Sequence, residues 1–84
     1  MRNHFGEDSP ENKVRKILCD HFGKKENEIT LDFDIITGLE LDVLDLIELT
    51  MALEEEFEIQ IPDEDAENWN TVSDIVKYVT NFAK

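Results

Sequence analysis

Cysteine and long apolar runs are almost missing from this sequence. Its 84 residues contain one cysteine, Cys19, so an internal disulfide and a zinc site built from cysteine pairs are both excluded. The longest apolar runs, such as Met51-Ala52-Leu53, are too short for a transmembrane span or the apolar core of a secretory signal. We therefore expect no stable insertion into a membrane and a reducing location, the cytoplasm.

Positive charge is missing from the middle of the chain. Residues 26–76 contain 17 Asp and Glu and no Lys or Arg, and the formal net charge of the whole chain is −13. Because phosphate groups repel such a surface, nucleic acid and anionic membranes are poor partners. Basic patches on other proteins are the expected partners. We expect the chain itself to be a monomer.

The remaining composition fits one small helical domain. Hydrophobic residues make up 40% of the chain, which is enough for a single core. We expect a flexible tail over residues 1–9 and one domain over residues 10–84. The predicted helices cover residues 10–22, 43–57, 63–68 (a short helix) and 72–83. The predicted fold is all-α, a small four-helix bundle with a long loop after its first helix.

Capping signals mark where three of these helices begin. Ser9 can accept a hydrogen bond from the first turn of the first helix, and Gly23 suits its left-handed end. Asp42 is a good cap for the helix over residues 43–57. Thr71 and Asp74 have the spacing of a capping box before the last helix. The boundaries of these helices are therefore expected near these residues.

The segment over residues 24–41 has a mixed signal. Ile29, Leu31, Phe33 and Ile35 alternate with polar residues, as the residues of a β-strand do. The other strand candidate is only Ile59-Gln60-Ile61, and one short pair of strands is seldom stable. We therefore predict an extended loop that is held by alternate apolar side chains.

The helix predicted over residues 43–57 has two apolar faces. At ~100° per residue, one face forms the core stripe, and it consists of Leu46, Leu49, Thr50, Leu53 and Phe57. Leu44, Ile47 and Met51 lie roughly opposite, among glutamates. Scattered exposed apolar residues are ordinary, so this second face has two interpretations. It is either without function or a docking surface rimmed by carboxylates.

The run DVLDLIELTMALEEEFEIQIPDED, with a helix before it and TVSDIVKYV after it, resembles the acyl carrier protein family over residues 10–83. The positions that fit the family pattern are Asp42, Leu44, Asp45, Ile47, Glu48, Met51, Ala52, Leu53, Glu54, Glu55, Phe57, Ile61, Pro62 and Asp63. The resemblance implies a non-enzymatic carrier for acyl-chain or fatty acid biosynthesis, with no catalytic residues. It also implies that the acidic helix docks on basic patches of synthases, reductases and acyltransferases.

The docking residues that the resemblance implies all lie on the helix over residues 43–57. They are Leu44, Asp45, Ile47, Glu48, Met51, Glu54 and Glu55.

The residue that the family modifies is different in this chain. In the family, a serine opens this helix and carries 4'-phosphopantetheine on its hydroxyl, whereas here that position is Val43, between Asp42 and Leu44. Valine offers no oxygen nucleophile, so we predict that the cofactor is absent and that the chain cannot be loaded at this site. A phosphopantetheinyl transferase would become a productive partner only if a serine were restored. Val43 has three open origins: an engineered block, a natural carrier that kept only docking, or a sequence error.

The loop before this helix also departs from the family pattern. Gly38 stands where the family usually has an acidic residue, and Glu40 stands where it usually has a glycine.

Two alternative functions stay open at this point. One is a docking or regulatory module that has the carrier fold but carries nothing. The other is an acidic calcium-responsive protein, because Asp63, Asp65 and Glu67 have the every-second-residue spacing of a calcium loop. Asn68 occupies the position of the glycine that such a loop needs, so we predict no dedicated metal site.

Of the remaining residues, we expect His21 to be partly packed and Trp69 to close one end of the bundle.

Overall fold

A computed structural model describes residues 9–82 of the chain. In this part, α1 spans Pro10–Phe22, α2 Ile35–Gly38, α3 Val43–Phe57, α4 Asp63–Ala66 and α5 Val72–Phe82, and a 3-10 turn spans Glu26–Glu28. No strand occurs among these residues, so the predicted all-α fold is confirmed. Residues 1–8 of the predicted tail and residue 83 of the predicted last helix lie outside the described residues.

The three long helices share one core. α1 packs against both α3 and α5, and each helix contributes fully buried side chains from one face. The largest fully buried side chains are Leu18, Ile29, Ile35, Leu49, Leu53, Ile75, Val14, Val72 and Val79. Trp69 is also buried, as predicted from its position before the last helix.

The predicted capping residues occupy their predicted positions. The Ser9 hydroxyl accepts the Asn12 N–H at 3.2 Å, and Gly23 ends α1 with a left-handed φ of 68°. At the start of α5, Thr71 and Asp74 each accept the backbone N–H of the other, at 3.3 and 3.1 Å. Local side-chain chemistry therefore determines where these helices begin and end.

The predicted loop over residues 24–41 needs a correction, because it contains the 3-10 turn Glu26–Glu28 and one turn of α-helix, α2. Asp34 caps the start of α2, and its Oδ1 accepts the N–H groups of Ile36 and Thr37 at 2.9 and 3.1 Å. The segment also lies beside the start of α5, where Asp34 and Thr71 form an isolated bridge and the Ile35 N–H donates to the Asn70 carbonyl. Of the four alternate apolar side chains that were predicted to hold this segment, Ile29 and Ile35 are buried and Phe33 is half-buried, whereas Leu31 is 39% exposed.

Two further side chains differ from their predicted environments. His21 is exposed, although it lies on the same side of α1 as Val14 and Leu18, because it belongs to the last turn of the helix and faces an open groove. Phe82 belongs to the predicted apolar stripe of the last helix but is 53% exposed. Its ring packs on Tyr78 at a centroid distance of 4.9 Å.

Candidate functional site

At the start of α3, the carboxylates of Asp42 and Asp45 each accept the backbone N–H of the other residue. The Asp45 N–H donates to Asp42 Oδ1 at 2.9 Å, and the Asp42 N–H donates to Asp45 Oδ2 at 3.4 Å. Val43 is the first residue of the helix, and 74% of it is exposed. The first position of α3 is therefore open to solvent, flanked by two carboxylates and without a hydroxyl.

The neighbouring hydroxyl groups do not replace the missing one. Thr50 is buried, and its hydroxyl donates to the Ile47 carbonyl at 2.8 Å. Thr37 belongs to α2 and Ser73 to α5, so neither opens α3. A phosphodiester link to the start of this helix needs an oxygen there, and the residues present do not fit that chemistry.

The second apolar face of α3 is on the outside of the bundle. Leu44, Ile47 and Met51, here named the outer strip, are 69%, 41% and 60% exposed. Leu49 and Leu53, on the opposite side of the same helix, are fully buried. The helix therefore has one face for the core and a separate apolar face in contact with solvent.

The acidic residues that accompany the outer strip have different environments. Glu48 and Glu55 are exposed, and Asp45 is half-buried through its role at the helix start. Glu54 is half-buried, and its Oε2 accepts the Ile61 N–H at 2.7 Å. Glu54 thus holds the loop that follows α3, a role that its position in the sequence does not reveal.

The negative charge of α3 is mostly uncompensated. Glu56 pairs with Lys13 of α1 at 3.6 Å. Within residues 9–82, Asp45, Glu48, Glu54 and Glu55 form no ion pair. Their field therefore acts on the solvent and on any approaching molecule.

Two cavities flank the outer strip. An open groove of about 570 Å³ lies on one side, between His21 at the end of α1 and Met51, Ala52 and Ile59. A smaller cavity of about 140 Å³ lies on the other side, between Val43 and Ile47 of α3 and Ala66 of α4. Sequence reasoning missed the contributions of His21 and Ile59, because only the packing of α1 and the loop after α3 brings them to this helix.

The predicted calcium-like spacing does not produce a metal cluster. In the described part of the chain, no three or more His, Cys, Asp or Glu side chains are grouped so that they could hold a metal ion. Asp65, the middle residue of the spacing, instead accepts the Tyr78 hydroxyl at 2.7 Å.

Cys19 is half-buried, and burial raises the pKa of its thiol above the usual value, which opposes nucleophilic reactivity. Among residues 9–82, no helix is long and apolar enough to cross a membrane.

Comparisons with known proteins agree on one family. Residues 12–79 match the family described as "Phosphopantetheine attachment site". Acyl carrier proteins from Clostridium perfringens strains SM101, ATCC 13124 and 13 are each 49% identical to the chain over 72 residues. That alignment covers 86% of this chain and 95% of each relative.

Proposed function

This chain belongs to the acyl carrier protein family, and from that membership we propose that it docks on enzymes of acyl-chain biosynthesis without carrying phosphopantetheine at Val43. Acyl carrier proteins are carriers, so the chain is not an enzyme. The proposal rests above all on the exposed outer strip, which lies directly after an attachment position without an oxygen. We propose the cytoplasm as its location and a monomer as its working form.

Charge supports a basic partner. Glu48 and Glu55 border the outer strip without an ion-pair partner in residues 9–82, and the stretch 26–76 contains no Lys or Arg. A basic patch therefore gains attraction without first displacing a cation of this chain. Such surface charges accelerate encounter and are screened within about 10 Å at ordinary salt concentrations.

The size of the surface supports a transient complex. Burying three exposed apolar side chains contributes roughly 1.5–3 kcal/mol each at most, and association entropy offsets much of that sum. The partner therefore binds with modest affinity and leaves quickly. Such exchange suits a protein that must visit several enzymes, or one that competes with loadable carriers for the same surface.

The binding test uses a broad-specificity phosphopantetheinyl transferase as the partner and isothermal titration as the readout. We expect saturable binding that weakens as salt is raised to about 0.5 M. Ile47→Ala should weaken binding about fivefold. Leu31→Ala is the matched control, because Leu31 is exposed to a similar extent, 39% against 41%, but lies outside α3. Equal effects of both variants, or binding that salt does not change, would contradict docking through the outer strip.

A further inference from the structure

We propose that a pocket between α4 and α5 binds an arginine side chain of a partner polypeptide. The pocket is open, has a volume of about 360 Å³, and is lined by Asp65, Asn68, Trp69, Asp74 and Tyr78. None of these residues belongs to α3. The pocket is therefore a contact site separate from the outer strip and independent of the attachment position.

Two carboxylates in this pocket are held in place through one oxygen each. Asp65 Oδ2 accepts the Tyr78 hydroxyl at 2.7 Å, and Asp74 Oδ2 accepts the N–H groups of Asn70 and Thr71 at 2.8 and 3.1 Å. The Oδ1 atoms of both carboxylates have no hydrogen-bond partner in residues 9–82. Two fixed carboxylates with one available oxygen each suit the forked donors of a guanidinium group.

Trp69 gives an independent reason to expect a ligand. Only 4% of this residue is exposed, yet it lines the pocket, and its indole N–H has no acceptor within the described residues. A buried donor without an acceptor is unfavourable. A polypeptide can offer such an acceptor through a backbone carbonyl, which a simple cation lacks, so a polypeptide fits the pocket better.

The surroundings of the pocket favour a cation. The Tyr78 ring meets Trp69 edge to face at a centroid distance of 5.5 Å, so the pocket wall is aromatic and can contact a guanidinium plane. The backbone N–H groups of Asn70 and Thr71 lower the pKa of Asp74, which therefore stays charged at neutral pH. Lys77 acts on Asp74 through its charge, but it is exposed and forms no ion pair with it in the described structure.

The single tryptophan makes the pocket directly observable, because all indole fluorescence comes from Trp69. The probe is the capped tripeptide N-acetyl-Gly-Arg-Gly-amide, titrated into the full chain. We expect a saturable change in emission with a dissociation constant on the order of 1 mM. The same peptide with Lys in place of Arg should bind at least about threefold more weakly, and the Gln peptide should give no saturable change.

A pair of variants distinguishes binding in the pocket from attraction to the general negative charge of the chain. Asp65→Asn removes the charge but keeps an oxygen that can accept the Tyr78 hydroxyl, whereas Asp63→Asn removes the same charge on α4 outside the pocket. We expect Asp65→Asn to weaken the Arg peptide at least about fivefold and Asp63→Asn less than about twofold. Circular dichroism checks folding, and Asp74→Asn replaces Asp65→Asn if the latter unfolds. The proposal would be overturned if the Asp65 and Asp63 variants lost the same affinity for the Arg peptide. It would also be overturned if the Lys or Gln peptide bound as tightly as the Arg peptide, or if the emission showed no saturable change up to about 20 mM peptide.

Discussion

The ring of Phe33 lies against the backbone of Gly38. A Cβ added to Gly38 would meet three ring atoms of Phe33, with Cε2 at 2.8 Å and Cζ closer still. The glycine at this position therefore makes room for a ring, and its φ is not left-handed. A side chain at Gly38, where the family usually has an acidic residue, would therefore require the Phe33 ring or the backbone to move.

Gly38→Ala should destabilise the fold. The added methyl group has no space beside Phe33, so the ring or the backbone must move, at a cost of about 1–3 kcal/mol. Chemical denaturation followed by circular dichroism measures the change in the free energy of unfolding. Thr37→Ala, at an exposed position of the same short helix, is the control and should change stability by less than about 0.5 kcal/mol. Equal stability of the Gly38→Ala variant and the parent chain would show that the ring moves freely.

Glu40→Gly should have the opposite effect. Glu40 adopts a left-handed φ of 52°, which costs a residue with a Cβ about 1 kcal/mol or more, and the family usually has glycine here. We expect the variant to be more stable than the parent chain by about 0.5–1 kcal/mol. Glu48→Gly, at an exposed interior position of α3, is the control for composition and should lower stability by about 1 kcal/mol. A loss of stability in both variants would mean that the Glu40 side chain has a stabilising contact.

The two faces of α3 should respond differently to truncation. Leu53 is fully buried, so Leu53→Ala should cost about 2–5 kcal/mol of stability. Met51 is 60% exposed, so Met51→Ala should cost less than about 0.5 kcal/mol. Denaturation curves of the two variants give the comparison. Similar losses would place Met51 in the core and remove the basis for the outer strip.

Tyr78 should titrate at an unusually high pH. Burial, followed by the hydrogen bond to Asp65 and nearby negative charge, raises the pKa of Tyr78 to about 12. Because the pKa of the folded state exceeds the unfolded value of about 10, the contribution of Tyr78 to stability is complete below pH 10 and disappears as the pH rises towards 12. The chain has one tyrosine, so ultraviolet absorbance reports this ionisation alone.

The controls for this titration are Asp65→Asn and denaturant. Asp65→Asn should lower the pKa of Tyr78, and the denatured chain should titrate near pH 10. A folded-state pKa near 10 in the parent chain would contradict both the burial of Tyr78 and its hydrogen bond to Asp65.

Local sequence signals predicted the long helices well, because their ends depend on nearby side chains. Ser9, Gly23 and Asp42 cap within a few residues of their own position, so their roles follow from the sequence. α2 also has a local cap, Asp34, but the alternating apolar residues around that cap favoured an extended loop. The segment before α2 is held by the Arg15 guanidinium, which donates to the Ile29 and Glu26 carbonyls, both at 2.7 Å. Those contacts join residues far apart in the chain.

The candidate site likewise has features that the sequence predicts and features that depend on packing between distant segments. The exposure of Leu44, Ile47 and Met51 follows from helical periodicity and is confirmed by the structure. The bond from the Ile61 N–H to Glu54, and the groove that His21 helps to form, depend on how the loop and α1 pack against α3. Periodicity along one helix contains no information about such neighbours.

We propose above all that the chain keeps the family's recognition surface but lacks an attachment oxygen at Val43. Intact mass spectrometry after incubation with coenzyme A and a broad-specificity phosphopantetheinyl transferase tests this claim directly, with the Val43→Ser variant treated in parallel. We expect the parent chain to keep its mass and the variant to gain the mass of one phosphopantetheine arm. A mass gain by the parent chain, or no gain by the variant, would contradict the account.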